Sequence, residues 1–253
     1  MHKYTLRLTG ILLMLLIFNG CMPDDELSAP VDVNLHLAMG ANTTGINYVE
    51  FHNIAIAVKQ IKFYGIREEG SDIFFNSQPN VPFGIFSIRK NQPAPKIDAF
   101  NIPQGVYNQM RWEIQTREID DDYYEDYFDE ELEEFIDVDD FGIIIEGRYK
   151  RLNGSEILLF IAIDPTEILL METFDTAGNN QLSLLSGRTY NIRLEINPYV
   201  AIQNIERSLL ENAETEEEDD IYFIEISSDE NEDLYERILF RLKNTVKAII
   251  EEQ

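Results

Sequence analysis

Apolar and polar residues alternate in short runs from residue 31 to residue 197, and this period of two restricts the chain more than any other feature. Val31, Val33, Leu35 and Leu37 alternate with Asp32, Asn34 and His36. Tyr190, Ile192, Leu194 and Ile196 alternate with Asn191, Arg193, Glu195 and Asn197. Successive side chains of a strand point to opposite faces, so each run predicts a strand with one buried side. Ile54, Ile56 and Val58 begin another run. Its phase slips at Lys59-Gln60 and resumes at Ile61 and Phe63, which predicts one extra residue, a β-bulge. Gly65 to Asp72 closes a hairpin, and Asn153-Gly154 predicts a second between 142–150 and 157–163. Four of the nine prolines fall within 77–96, which predicts an irregular crossing with a strand near Phe86–Arg89. Beyond Pro103-Gln104-Gly105, Val106, Met110, Trp112 and Ile114 share one face, while Tyr107, Gln109, Arg111 and Glu113 share the other. Trp112 is therefore expected in the core.

Two stretches break this period. Residues 118–140 hold fourteen Asp or Glu and no basic residue. Tyr124, Phe128, Leu132 and Phe135 nevertheless recur at helical spacing, which predicts a short acidic helix over 121–135 lying on the sheets. After Pro198, Val200, Ile202, Ile205 and Leu209 predict a short helix, and 221–226 a strand. A last helix is expected to start at Ser228 or Asp229 and to run its apolar stripe through Leu234, Ile238, Leu242, Val246 and Ile249/Ile250. The expected organisation is a β-sandwich domain over 31–197 and a helical C-terminal region, 198–253, packed on it.

Residues 1–20 read as a secretory signal peptide: His2, Lys3 and Arg7, then an apolar run from Ile11 to Phe18, then Asn19 and Gly20. The run is too short for a membrane-spanning helix, which needs about 20 apolar residues. Cys21, the only cysteine, follows directly. A secreted chain with one leftover cysteine calls for a use for it. With that cysteine committed, no intramolecular disulfide is possible and stability rests on the core. Residues 21–30 form a short tether.

Charge excludes one class of partner. The chain has 47 acidic and 20 basic residues, a net charge of −27, which becomes −29 when Lys3 and Arg7 leave with the signal. No basic patch is available to neutralise phosphates, so nucleic acid is excluded, and the body has no electrostatic reason to lie on anionic lipid.

Phe18-Asn19-Gly20-Cys21 resembles the lipobox of bacterial lipoproteins, with Phe18 where the family usually has Leu and Asn19 where it has a small residue. The resemblance implies cleavage after Gly20, acyl chains on Cys21 and attachment to a membrane through them. Pro23-Asp24-Asp25-Glu26 resembles the export signal of Bacteroidetes-type surface lipoproteins, which implies an outer-membrane anchor at the cell surface. Ile-x-Ile-x-Val-x-x-Ile-x-Phe at Ile54–Phe63 and Ile102-Pro103-x-Gly105-x-Tyr107-x-Gln109-x-Arg111 resemble an uncharacterised domain family of such lipoproteins. That resemblance implies an immunoglobulin- or transthyretin-like antiparallel β-sandwich without known chemistry; the acidic insert and the C-terminal tail depart from it.

No catalytic constellation stands out, and a non-enzymatic protein is expected. His36 and His52 lack the spacing of a zinc set. Asp137-Val-Asp-Asp-Phe-Gly142 has the opening of an EF-hand, but Phe141 and Arg148 occupy positions that need ligands. No cofactor is expected beyond weak calcium binding to acidic loops. Three readings remain: a surface binding or adhesion module for a glycan or protein, a structural or accessory component of an envelope complex, and a calcium-dependent glycan-binding protein.

Overall fold

A computed structural model describes residues 28–77, 83–119, 138–218 and 221–253. Cys21, the signal peptide and the expected acidic helix lie outside them.

The chain is mainly β. Among the described residues fourteen strands join into one sheet that curls into a half-barrel, in the order β12-β13-β8-β7-β2-β6-β9-β14-β11-β1-β5 along its main path. Strand β2, Val49–Arg67, organises it. Its first half pairs with β7, Ile143–Lys150, and its second half with β6, Gly105–Thr116. The exchange happens at Ala57, which donates to Gly142 O and accepts from Arg117 N, both at 3.0 Å. The register slips between Val58 and Gln60, where the bulge was expected. Bulges increase local twist, and here the sheet divides into two wings.

One wing holds β7, β8 (Glu156–Ile163), β13 (Ile221–Ile226) and β12 (Glu216–Glu218), with β4 (Ile85–Ser87) on the other edge of β2. The second holds β6, β9 (Ile168–Asp175), β14 (Lys247–Glu252), β11 (Thr189–Ile196), β1 (Pro30–Met39) and β5 (Lys96–Pro103), with β3 (Ile73–Asn76) and β10 (Leu182–Leu184) on β2 and β6. Between the wings lies a shared core, with Val31, Val33, Leu35 and Leu37 fully buried from β1, Ile145 from β7 and Ile192 from β11. Each such side chain contributes about 1.5–3 kcal/mol relative to exposure. The outer face of the first wing carries a smaller core of Ala55, Ile85, Ile119, Phe141, Phe160 and Phe223.

Three expectations are corrected. First, the sheet is not the all-antiparallel sandwich of immunoglobulin or transthyretin type: β1·β11, β8·β13 and β9·β14 are parallel. Parallel neighbours need long crossovers, and the chain between the paired strands supplies them: 40–188, 164–220 and 176–246.

Second, residues 198–253 are not a helical appendage. Helices α1 (Pro198–Ile202), α2 (Arg207–Glu211) and α3 (Glu232–Thr245) alternate with β12, β13 and β14. α3 stops at Thr245, and Lys247–Glu252 enters the sheet between β9 and β11. The β-branched Thr245-Val246 and Ile249-Ile250 favour extended backbone, and the slot pairs both strand edges. The helix begins after Asn231, not at Ser228 or Asp229. Asn231 is left-handed (φ 56°), and its amide donates to Glu225 O at 2.6 Å and accepts from Glu214 N at 2.8 Å.

Third, Tyr107 faces the core. The register between β2 and β6 slips at Ile66/Arg67, so Asn108 is passed over and Tyr107 turns inward. Its hydroxyl donates to Pro103 O at 2.6 Å, and burial pushes its pKa up to about 12. Trp112 is fully buried, as expected, against Phe63, Phe75 and Phe100.

Candidate functional site

A cleft of about 600 Å³ opens at the end of β1 between two loops. Its first wall is residues 40–47, and its second is residues 88–94.

The first loop begins where β1 runs into Gly40. Gly40 N donates to Ile196 O at 2.8 Å, and a Cβ at this position would lie 2.4 Å from the Asn197 side chain. Only glycine lets the two segments approach so closely. Asn197 also caps α1, accepting from Val200 N at 3.2 Å, and donates to Ala41 O at 3.1 Å. One side chain thus fixes the helix and the loop together. Within the loop, Asn42 donates to Ile46 O at 2.8 Å and accepts from the Thr44 hydroxyl at 2.9 Å.

The second loop is strapped to β2. Ile88 and Ile54 exchange backbone hydrogen bonds, and Lys90 N donates to His52 O at 2.8 Å. Asn91 turns the chain with φ 64°, a conformation asparagine tolerates better than most residues. Pro95 O accepts from Leu37 N at 3.0 Å and returns the chain to the sheet.

Tyr199 of α1 lies beneath the cleft. Its hydroxyl accepts from Phe51 N at 3.1 Å, and its ring meets Phe51 edge-on at 5.0 Å. The floor is apolar, from Met39, Val49, Ile88 and Tyr199, and the rim is polar, from Asn42, Asn47, Asn91 and Gln92. An ion pair spans the rim, with Lys90 Nζ 2.6 Å from Glu50 Oε1. Their hydrogen bond lowers the Glu50 pKa and raises that of Lys90. Apolar floor and amide rim are what a hydroxyl-rich ring needs: a surface to lie on and donors and acceptors at its edge.

The two histidines singled out in the sequence flank the second loop. His36 Nδ1 lies 3.3 Å from Ala94 O. His52 is half-buried, and burial holds its pKa below the usual histidine value. Their side chains do not join a ligand set: among the described residues no group of three or more His, Cys, Asp or Glu comes together to hold a metal ion. Asp139 and Asp140 lie in a short 3₁₀ turn, Val138–Asp140, while Asp137 and Cys21 lie outside the described residues. The cleft residues carried no motif. Its two loops read in the sequence only as a turn and an irregular proline-rich crossing, and nothing local says they meet.

A second depression, about 450 Å³, lies between β9 and α3 and is lined by Ile168, Leu170, Leu239 and Phe240. Phe240 is 70% exposed. Among the described residues no helix is long and apolar enough to cross a membrane. Comparison with protein-family models, with curated proteins and with solved structures returned no match.

Proposed function

We propose that this chain is an outer-membrane lipoprotein, anchored through Cys21 and displayed at the cell surface, that acts as a non-enzymatic binding module for a glycan. The observation that carries the reading is the position of the cleft. The carbonyl of Ala29 accepts from Gln104 N, and β1 starts at Pro30. The cleft opens at the other end of this ten-residue strand, roughly 30 Å away at about 3.3 Å per residue. An anchor at one end therefore holds the recognition loops at the far end, away from the bilayer. The facing wings and end-gathered loops support counting the domain among sandwich-like binding modules.

Two arms test this. Cys21→Ser is expected to leave the protein unprocessed or soluble; a mature variant still extracted only by detergent refutes the anchor. Asn47→Trp, at an exposed position on the cleft wall, is expected to abolish capture on a glycan array without changing the melting temperature. A wild-type chain that captures no glycan refutes the binding reading.

A second reading, a structural component of an envelope complex, is favoured by the apolar depression between β9 and α3. Phe240→Ser would release the chain from such a complex and leave glycan capture unchanged.

A further inference from the structure

We infer that the cleft selects acidic saccharides, sugars whose ring carries a carboxylate, over their neutral counterparts. This rests on the glycan-binding reading above and adds the class of ligand to it.

The argument starts from sign. The chain has more than two acidic residues for each basic one. The charged residues lining the cleft are Arg89, Lys90 and Glu50, so the balance is reversed there. A third cation stands behind them: Arg148 on β7 is directly opposite Glu50 in the β2·β7 register. Burial is the main cause of the lowered His52 pKa; Glu50 opposes it, and Arg148 and Lys90 add to it. A concave site with an excess of cations, set in a mostly acidic surface, concentrates the field where the ligand enters.

Geometry agrees with the sign. Lys90 carries three N–H donors, and Glu50 occupies one of them. The remaining protons can meet a carboxylate without breaking the Glu50 pair. The backbone beneath is set in advance: Lys90 N is bonded to His52 O, Gln92 N to Arg89 O at 3.2 Å, and Asn91 makes the turn. Lys90 is exposed at this rim, so an incoming anion reaches it without a change of fold. The asparagines of the opposite wall remain for the ring hydroxyls. A neutral sugar would use the amides and floor alone, while an acidic one would add a charge-assisted contact, about twice as strong as a neutral hydrogen bond.

Overall charge sets a further condition. At −27 the body repels a long polyanion, whereas a short acidic oligosaccharide meets mainly the local field, because charges beyond about 10 Å are screened at 0.1 M salt. The expected ligand is therefore a short or terminal acidic unit.

The test uses the full chain in detergent and calorimetric titration with tri- and tetragalacturonic acid, alongside the same oligosaccharides reduced at the carboxyl to neutral sugars. The acidic form is expected to bind at least tenfold more tightly at 50 mM salt, with the ratio falling at 200 mM. Lys90→Gln is expected to bring the ratio near one. Glu50→Gln, which releases a donor of Lys90, is expected to raise the ratio. Equal or tighter binding of the neutral form overturns the inference and leaves the glycan reading standing. If neither form binds and the glycan array is also blank, both fall; if neither binds but the array captures another, neutral glycan, the inference alone falls. Circular dichroism of each variant establishes that it is folded.

Discussion

Replacing Trp112 with Phe should leave the protein as stable as before or more stable, although Trp112 is the centre of the aromatic core. The indole is fully buried, with Phe63 at 4.7 Å between ring centroids, Phe100 at 6.0 Å and Phe75 at 6.1 Å. Its Nε1–H finds no acceptor among the described residues. Two terms then compete. Phe is smaller by about 40 Å³, and an unrelaxed cavity costs about 24 cal/mol per Å³, so the lost volume costs about 1 kcal/mol. Removing a buried donor without a partner returns about 1–3 kcal/mol. Edge and offset contacts with the neighbouring rings survive, because Phe keeps an aromatic face. The net change is between about zero and 2 kcal/mol of added stability. Trp112→Ala removes the ring altogether and should cost about 3–5 kcal/mol. Urea unfolding followed by far-ultraviolet circular dichroism measures both, since the substitution removes the only tryptophan and with it the fluorescence probe. A loss of 2 kcal/mol or more in Trp112→Phe would refute the reasoning, for the indole N–H must then be satisfied.

Gly40→Ala should lose about 1–3 kcal/mol and weaken cleft binding, because the new methyl meets Asn197 at 2.4 Å; an unaltered melting temperature and affinity would show that the loop gives way freely. Asn231→Ala should destabilise more than Asn231→Gly by about 1–2 kcal/mol, since both lose the bonds to Glu214 and Glu225 but only glycine keeps the left-handed backbone at no cost. Burial raises the Glu225 pKa above 4.5, so the native state holds this proton more tightly than the unfolded chain does. Its ionisation therefore costs stability at neutral pH, and that cost is relieved as pH falls through the raised value towards 4.5. Glu225→Gln should stabilise at pH 7 and show a smaller gain than wild type between pH 7 and 5; equal slopes in denaturation midpoint would contradict it.

The strands were legible because each buries one face and leaves the other wet. Val31 to Leu37 and Tyr190 to Ile196 state this in their alternation, and the slip at Lys59 marked the bulge before any partner was known. What alternation does not state is who pairs with whom. Strands β1 and β11 are parallel neighbours whose paired residues lie 157 positions apart, and each would read the same beside any other strand. The C-terminal error has a related cause. Val246, Ile249 and Ile250 continue the apolar stripe of α3 at helical spacing, and a six-residue strand with Ala248 and Ile250 inward satisfies the same residues. Period alone cannot choose between them; the open slot between β9 and β11 does. Tyr107 was misplaced because a bulge moves every residue before it to the opposite face, and Asn108 carries no local sign of being passed over.

The cleft was hidden for a different reason. Its residues are ordinary turn and loop types, and their meaning depends on two close approaches, Gly40 to Asn197 and Lys90 to His52, that join segments far apart in sequence. Composition pointed away from it: 47 acidic residues suggest a surface that repels anions, and over most of the molecule that inference is sound. Binding, however, follows the potential where the ligand sits. The charged residues that line the rim are Arg89, Lys90 and Glu50, and Arg148 stands opposite Glu50 in the strand register. On the proposed reading, a strongly negative body with a small cationic mouth would reject extended polyanions and anionic lipid while admitting a single acidic unit. The same charge that would keep an anchored domain off the bilayer would then sharpen its choice of ligand. Raising salt tests the two roles separately: it should weaken the short acidic ligand through the local contacts and, by screening the body, reduce the discrimination against long ones.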